Sequence, residues 1–126
     1  MPFTDYWKNA VLDRAIAGGS AITVYASLHG GAPGSTGANE LTGGFPAYAR
    51  KALTWGSAAS GAKATTATVT FDIPSGGVTV GYVGYWDAAT SGHFLGYQTV
   101  TSATFVGQDV YALTAVQLNQ NANPSA

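Results

Sequence analysis

VTVGYVGYWDAATSGHFLGYQTV, residues 78–100, holds two runs rich in Val, Tyr, Thr and aromatic residues on either side of a short polar break. Such residues suit a pleated, half-buried surface, so 78–86 and 93–100 read as paired strands. The break, Asp87-Ala88-Ala89-Thr90-Ser91-Gly92, reads as a hairpin loop. Asp87 opens it by bonding to nearby backbone, and Gly92 supplies a positive φ near its close. This pairing sets Trp86 across from Phe94 just outside the turn. Gly81, Gly84 and Gly96 lie inside the strands, where glycine marks a bulge or the close approach of another backbone.

Working outward, the same period of two recurs. In AITVYASLH (21–29), Ile22, Val24, Ala26 and Leu28 share one face and Thr23, Tyr25, Ser27 and His29 the other, the pattern of a half-buried strand. AYARKALTW (47–55) and TTATVTFDI (65–73) alternate likewise, and VYALTAVQL (110–118) closes the sheet. GSAASGAKA (56–64) reads as a flexible stretch, Pro74-Ser75-Gly76-Gly77 as a turn, and NQNANPSA (119–126) as a polar tail. Residues 3–17 are the one helical pattern, with Phe3, Tyr6, Trp7, Ala10 and Val11 at helical spacing. Thr4 suits the N-cap, Asp5 the first turn, and Gly18-Gly19 the stop. The Phe3/Tyr6/Trp7 stripe packs on the chain's own sheet or docks on a neighbouring subunit. Between the first two strands lies GGAPGSTGANELTGGFP (30–46), with six glycines and two prolines. That density leaves a long loop, of the kind that is functional or ordered by a partner. Short strands at roughly ten-residue spacing predict a mainly β fold: an antiparallel β-sandwich, jelly-roll-like, with one N-terminal α-helix. The single domain spans 1–118.

The 126 residues suffice for one ordinary core. With no Cys, disulfides and thiolate metal sites are excluded. No apolar run reaches membrane-spanning length and no signal peptide is visible, so no membrane partner is expected. Charged residues are 9% of the chain and the net charge is −1, against about 25% charged in average soluble proteins. So few cations cannot neutralise a row of phosphates, so nucleic acid is not expected as a partner. Near-zero net charge favours association, and the composition suits a subunit among subunits.

Reaction chemistry finds little support. No serine sits in a G-x-S-x-G elbow. GGAPGSTG has no lysine to reach a phosphate, so the P-loop reading fails. His29, Glu40, Asp87 and His93 are metal-ligand types, but their spacing fixes no two imidazoles on one element. The six acids form no evident facing pair for glycoside chemistry. No catalytic, cofactor-binding or metal residue is therefore assigned. Seven Tyr and three Trp on a Gly/Thr-rich β-scaffold could stack on sugars, though core filling explains them as well.

Four stretches together carry a resemblance: the helix Phe3-Thr4-Asp5-Tyr6 with Lys8-Asn9; Tyr25-Ala26-Ser27-Leu28-His29; Ala32-Pro33-Gly34-Ser35-Thr36-Gly37-Ala38-Asn39-Glu40 before Tyr48-Ala49-Arg50; and Val83-Gly84-Tyr85-Trp86-Asp87-Ala88 with Gly92 and Phe94-Leu95. Over about residues 1–118 the chain resembles small virion proteins of tailed phages of actinobacteria, labelled tail-fibre-like or minor structural proteins. The resemblance implies a non-enzymatic protein that assembles on the particle in the host cytoplasm, as capsid decoration, minor capsid protein, or tail or fibre component. Its expected partners are other virion proteins (major capsid or tail) and copies of itself, with threefold symmetry the first expectation. A receptor- or glycan-binding module at a fibre tip is the alternative. The chain lacks the heptads or shaft repeats of a fibre stem. Phe3, Tyr6 and Trp7 on the helix, and Pro33, Thr36, Asn39, Glu40 and Phe45 in the loop, are the candidate partner-contact residues.

Overall fold

The structure is a computed structural model that describes residues 3–17, 22–44, 47–57, 62–74, 77–114 and 117–119. Among the described residues one helix, α1 (Asp5–Ala17), precedes eight strands: β1 (Tyr25–His29), β2 (Lys51–Ala52), β3 (Ala62–Ala64), β4 (Val69–Ile73), β5 (Val78–Trp86), β6 (Phe94–Phe105), β7 (Asp109–Leu113) and β8 (Gln117–Asn119). The fold is mainly β and every strand pair is antiparallel. A four-stranded sheet runs in the order β2-β1-β5-β6, and two ribbons pair β4 with β7 and β3 with β8. Among the described residues no helix is long and apolar enough to cross a membrane.

The β5–β6 hairpin forms as its alternation and turn residues dictate, with Trp86 paired to Phe94. Its register shifts between Val80 and Tyr82, beside Gly81, and again between Tyr85 and Trp86. Gly96 meets another backbone, since Phe3 bridges to it from outside the sheet. The core lies between the four-stranded sheet and the β4–β7 ribbon. Ala26, Leu28, Val80, Val83, Tyr85 and Leu95 face Phe71, Ile73 and Leu113 across it. Full burial of a side chain such as Phe71 or Leu28 contributes about 1.5–3 kcal/mol.

Thr4 caps α1: its Oγ1 accepts from Trp7 N at 3.3 Å, and its carbonyl accepts from Lys8 N. Ala10 is buried and Trp7 packs against the core, while Tyr6 stays at the surface. The stripe therefore splits, with Trp7 on the chain's own sheet. The expected stop at Gly18-Gly19 lies outside the described residues.

Several strand boundaries differ from the sequence reading. Of 47–55, only Lys51–Ala52 is strand. Tyr48 and Arg50 leave the ladder because their side chains bond to Glu40. The stretch read as flexible contains β3, and 65–73 becomes strand only at Val69. β6 runs on to Phe105. Residues 110–118 close no sheet; they divide between β7 and β8, one on each ribbon. β8 reaches Asn119, the first residue assigned to the tail.

β1 departs most. Half-burial was expected, yet Ser27 and His29 on its polar face are as buried as Ala26 and Leu28. The 30–44 loop folds back over that face and covers it.

Candidate functional site

The covered face is a small polar core. On it β1 contributes Ser27 and His29, and β5 contributes Gly84 opposite Ser27 and Trp86 two residues on. Trp86 Nε1 donates to Ser27 Oγ at 3.0 Å. Ser27 Oγ and His29 Nε2 lie 2.7 Å apart, and His29 Nδ1 lies 2.7 Å from the Ala38 carbonyl. A carbonyl only accepts, so Nδ1 carries the proton and Nε2 accepts from the Ser27 hydroxyl. The chain of donors runs one way, from the indole through Ser27 to His29, and from His29 to the loop backbone. Burial holds the His29 pKa below its ordinary value, opposed in part by the bond to Ala38. Gly84 is required by space: a Cβ there would stand 2.6 Å from His29 Nε2 and 2.7 Å from Ser27 Oγ.

The loop is closed on itself. Gly30 N donates to Asn39 O and Leu41 N to Leu28 O, so Glu40 bridges to His29 as though it continued the sheet. Inside, Gly37 and Ala38 donate to the Pro33 carbonyl, and Asn39 Nδ2 donates to Ala32 O. Gly37 has φ +78°, and a Cβ there would stand 2.4 Å from the Trp86 ring.

Arg50 ties this loop to the hairpin tip. Nε and Nη2 grip the two Glu40 oxygens at 2.9 Å each, while Nη1 donates to Ala88 O and Ser91 O. Its guanidinium carbon sits 3.7 Å above the Trp86 ring. The planar guanidinium meets a carboxylate, two carbonyls and an aromatic face at once, which an ammonium cannot do. Tyr48 completes the set: its hydroxyl donates to Glu40 and accepts from Leu28 N. Burial pushes the Tyr48 pKa far up, so the hydroxyl keeps its proton for Glu40.

At the tip, Asp87 Oδ1 accepts from His93 N at 2.7 Å and Oδ2 pairs with His93 Nδ1 at 2.9 Å. Burial alone would raise the Asp87 pKa, but the His93 backbone and ring, with Tyr6, hold it below the ordinary carboxylate value. Gly92 has φ +79°, and a Cβ there would meet Asp87 Oδ1 at 2.6 Å. The expected turn chemistry is present. Tyr6 of α1 stacks on the His93 ring at 3.9 Å between centroids.

The chemistry open to these groups is narrow. Ser27 and His29 touch as a nucleophile and base would, but both are 0% exposed, so no substrate reaches them. Among the described residues no cluster of three or more His, Cys, Asp or Glu could hold a metal ion.

Of the residues expected to meet partners, Phe3, Tyr6 and Thr36 come together along one open groove with His93. Thr36 and Asn39 are exposed, although the Asn39 side chain also holds the loop. Trp7 is partly buried on the core and Glu40 is held by Arg50 and Tyr48, so both act within the chain. Pro33 is fully buried in the chain, where two loop N–H groups fold onto its carbonyl. Phe45 lies outside the described residues. Sequence reasoning missed Ser27, His29, Tyr48, Arg50 and Trp86 as one network. One signal was available. In so uncharged a chain, an acid and a base ten residues apart, Glu40 and Arg50, invite pairing.

A comparison with curated proteins finds no match. A family model described as Podophage GP4 fiber I protein gp80 matches residues 2–121, nearly the whole chain, and the protein belongs to this phage fibre structural family.

Proposed function

We infer that the chain is a non-enzymatic structural component of a phage virion. It sits on the particle surface as part of a tail fibre and binds other virion proteins and copies of itself. The fibre description of its family favours the tail over capsid decoration. The Pro33–Arg50 motif supports a tailed phage of actinobacteria as its source.

One observation carries the reading. The latch of Glu40, Arg50, Tyr48 and Trp86 holds in place an exposed surface of Ser35, Thr36, Ala38, Asn39, Ala89, Thr90 and Ser91, none of them charged. Such a surface loses little entropy on docking and leaves no ion to desolvate, which suits the centre of a protein–protein contact. The loop meets its partner already shaped, with Gly37 closed against Trp86 and Phe94. A glycan platform would need open aromatic faces. Trp86 is 8% exposed beneath Arg50, and Tyr6, 38% exposed, has His93 against one face.

Imaging of particles labelled with an antibody fragment tests the reading. Label at the tail is expected. Label over the head would overturn the fibre placement, and absence from purified particles would overturn the virion role.

A further inference from the structure

Of the chain's two histidines, His93 is exposed and His29 is completely buried. Both ring nitrogens of His29 are engaged: Nδ1 donates to Ala38 O, and Nε2 accepts from the Ser27 hydroxyl. A second proton on Nε2 turns that acceptor into a donor. It then faces Ser27 Oγ, which already receives the Trp86 N–H, and the serine hydroxyl loses its acceptor. A water above Gly84 would crowd the ring as a methyl does, since a Cβ there stands 2.6 Å from Nε2. Nor is a counter-ion at hand. The charges that bear on the ring are those of Glu40 and Arg50, which act in opposite senses. Both Glu40 oxygens are already bonded, to Arg50 and Tyr48. Tyr82 stands opposite His29 on β5, and Phe94 of β6 flanks the ring at 6.3 Å between centroids, neither with a charge to offer. An imidazolium held there is a buried ion without a partner, so the seated ring stays neutral. Burial accordingly holds its pKa down.

We propose that protonation of His29 lifts the segment 30–41 from the sheet while the strands stay folded, so that acid dissolves the docking surface this loop displays. The loop is the only cover of the ring that is not itself a strand of the sheet. It is closed by the bonds from Gly30 N to Asn39 O and from Leu41 N to Leu28 O, and His29 itself holds it through Ala38. Ser35, Thr36, Ala38 and Asn39 of the display leave with it. The grip of Arg50 on Glu40 opposes the lifting and keeps the lifted form minor at neutral pH. In the lifted form His29 meets water and binds a proton as an ordinary imidazole does, near pH 6.5. In the seated form it does not. Each unit of pH below 6.5 therefore raises the lifted population about tenfold, until the seated form takes the proton too. The proposal rests on the assembly reading above and names how that surface is regulated.

Native-state hydrogen exchange on the full chain, followed by NMR from pH 6.5 to about pH 5 with and without dilute urea, reads the lifting amide by amide. The probes are the amides of Gly30 and Leu41, and the reference is the amides of β5 and β6. Protection factors of the two loop amides are expected to fall about tenfold per pH unit. They are also expected to lie well below those of the strands at every pH and to respond little to urea, the mark of an opening that exposes little surface. Loop amides that share the protection and the urea slope of the strands overturn the proposal, because the loop then opens only with the whole fold. Loop protection that does not change with pH overturns it as well. His29→Gln keeps a donor and an acceptor without a proton-binding site, so the pH slope of the loop amides is expected to vanish; a slope that survives overturns the proposal. His93→Gln is expected to keep the slope, and its loss there assigns the proton to the other histidine and overturns the proposal. The exchange is read on the lone chain, so its failure leaves the assembly reading standing. Failure of the assembly reading shows instead in the labelled particles, whatever the loop amides do.

Discussion

Gly84→Ala places a single methyl group where the polar core has no room. Its Cβ would stand 2.6 Å from His29 Nε2, 2.7 Å from Ser27 Oγ and 3.0 Å from Phe94 Cε1. The first two atoms are bonded to each other, and Ser27 Oγ also receives the Trp86 N–H. The methyl is admitted only if that bond opens or the ring moves. Overpacking costs about 1–3 kcal/mol, and a buried polar atom left unsatisfied costs about 1–3 kcal/mol more. A loss of about 3–4 kcal/mol follows, or roughly 10 °C or more in Tm for a chain of this size. Gly81→Ala is the internal control. It lies on the same strand, and its Cβ would meet only Ser102 Oγ at 3.7 Å, an ordinary contact. Urea titration of both variants measures the difference. If Gly84→Ala is no more destabilising than Gly81→Ala, the directed Ser27–His29–Trp86 chain is not what requires glycine there.

Arg50→Lys keeps the charge but loses the two-pronged grip on Glu40, a tip carbonyl and the stack on Trp86; since Arg50 is 9% and Glu40 19% exposed, a loss of about 3 kcal/mol in urea unfolding is expected. His29 has a depressed folded pKa, so below pH 6.5 the unfolded chain binds the extra proton. Stability from this group is complete above 6.5 and declines as pH falls, at up to about 1.4 kcal/mol per unit. His29→Gln flattens the pH 5–7 dependence of the urea midpoint, and an unchanged slope would count against the buried neutral imidazole. Gly92→Ala forces a methyl onto Asp87 Oδ1 at φ +79° and lowers Tm by several degrees, read by thermal scan. Thr36→Arg puts a charge on the uncharged surface; incorporation into particles, quantified by mass spectrometry, falls while Tm stays within a degree or two.

The hairpin was legible because its signals are local. Asp87, Gly92, Trp86 and Phe94 lie within nine residues, and turn chemistry with cross-strand pairing decides their geometry. The Thr4 cap was legible for the same reason. The burial of Ser27 and His29 was not. It depends on Gly30 to Glu40 folding back and on Trp86 arriving from a strand nearly sixty positions away. Period-two reading assigns a polar face to solvent unless something covers it, and the cover here is a glycine-rich loop with no period. Tyr48 and Arg50 misled the strand assignment, because alternation continues through residues whose side chains have left the ladder. Of the eight residues proposed to meet partners, composition found the loop but could not tell the ring packed inward, Pro33, from the hydroxyl facing out, Thr36.

Several side-chain bonds that hold the loop and the hairpin tip end on main-chain oxygens: those of Ala32, Ala38, Ala88 and Ser91. Every amino acid carries that oxygen. Side chains at 38 or 91 can therefore change in the course of descent while Arg50 and His29 go on gripping the same atoms. Asn39 apart, what the protein displays and what holds the display in shape are written in different residues. A phage lineage under pressure to fit a changing neighbour could rewrite the first and leave the second untouched.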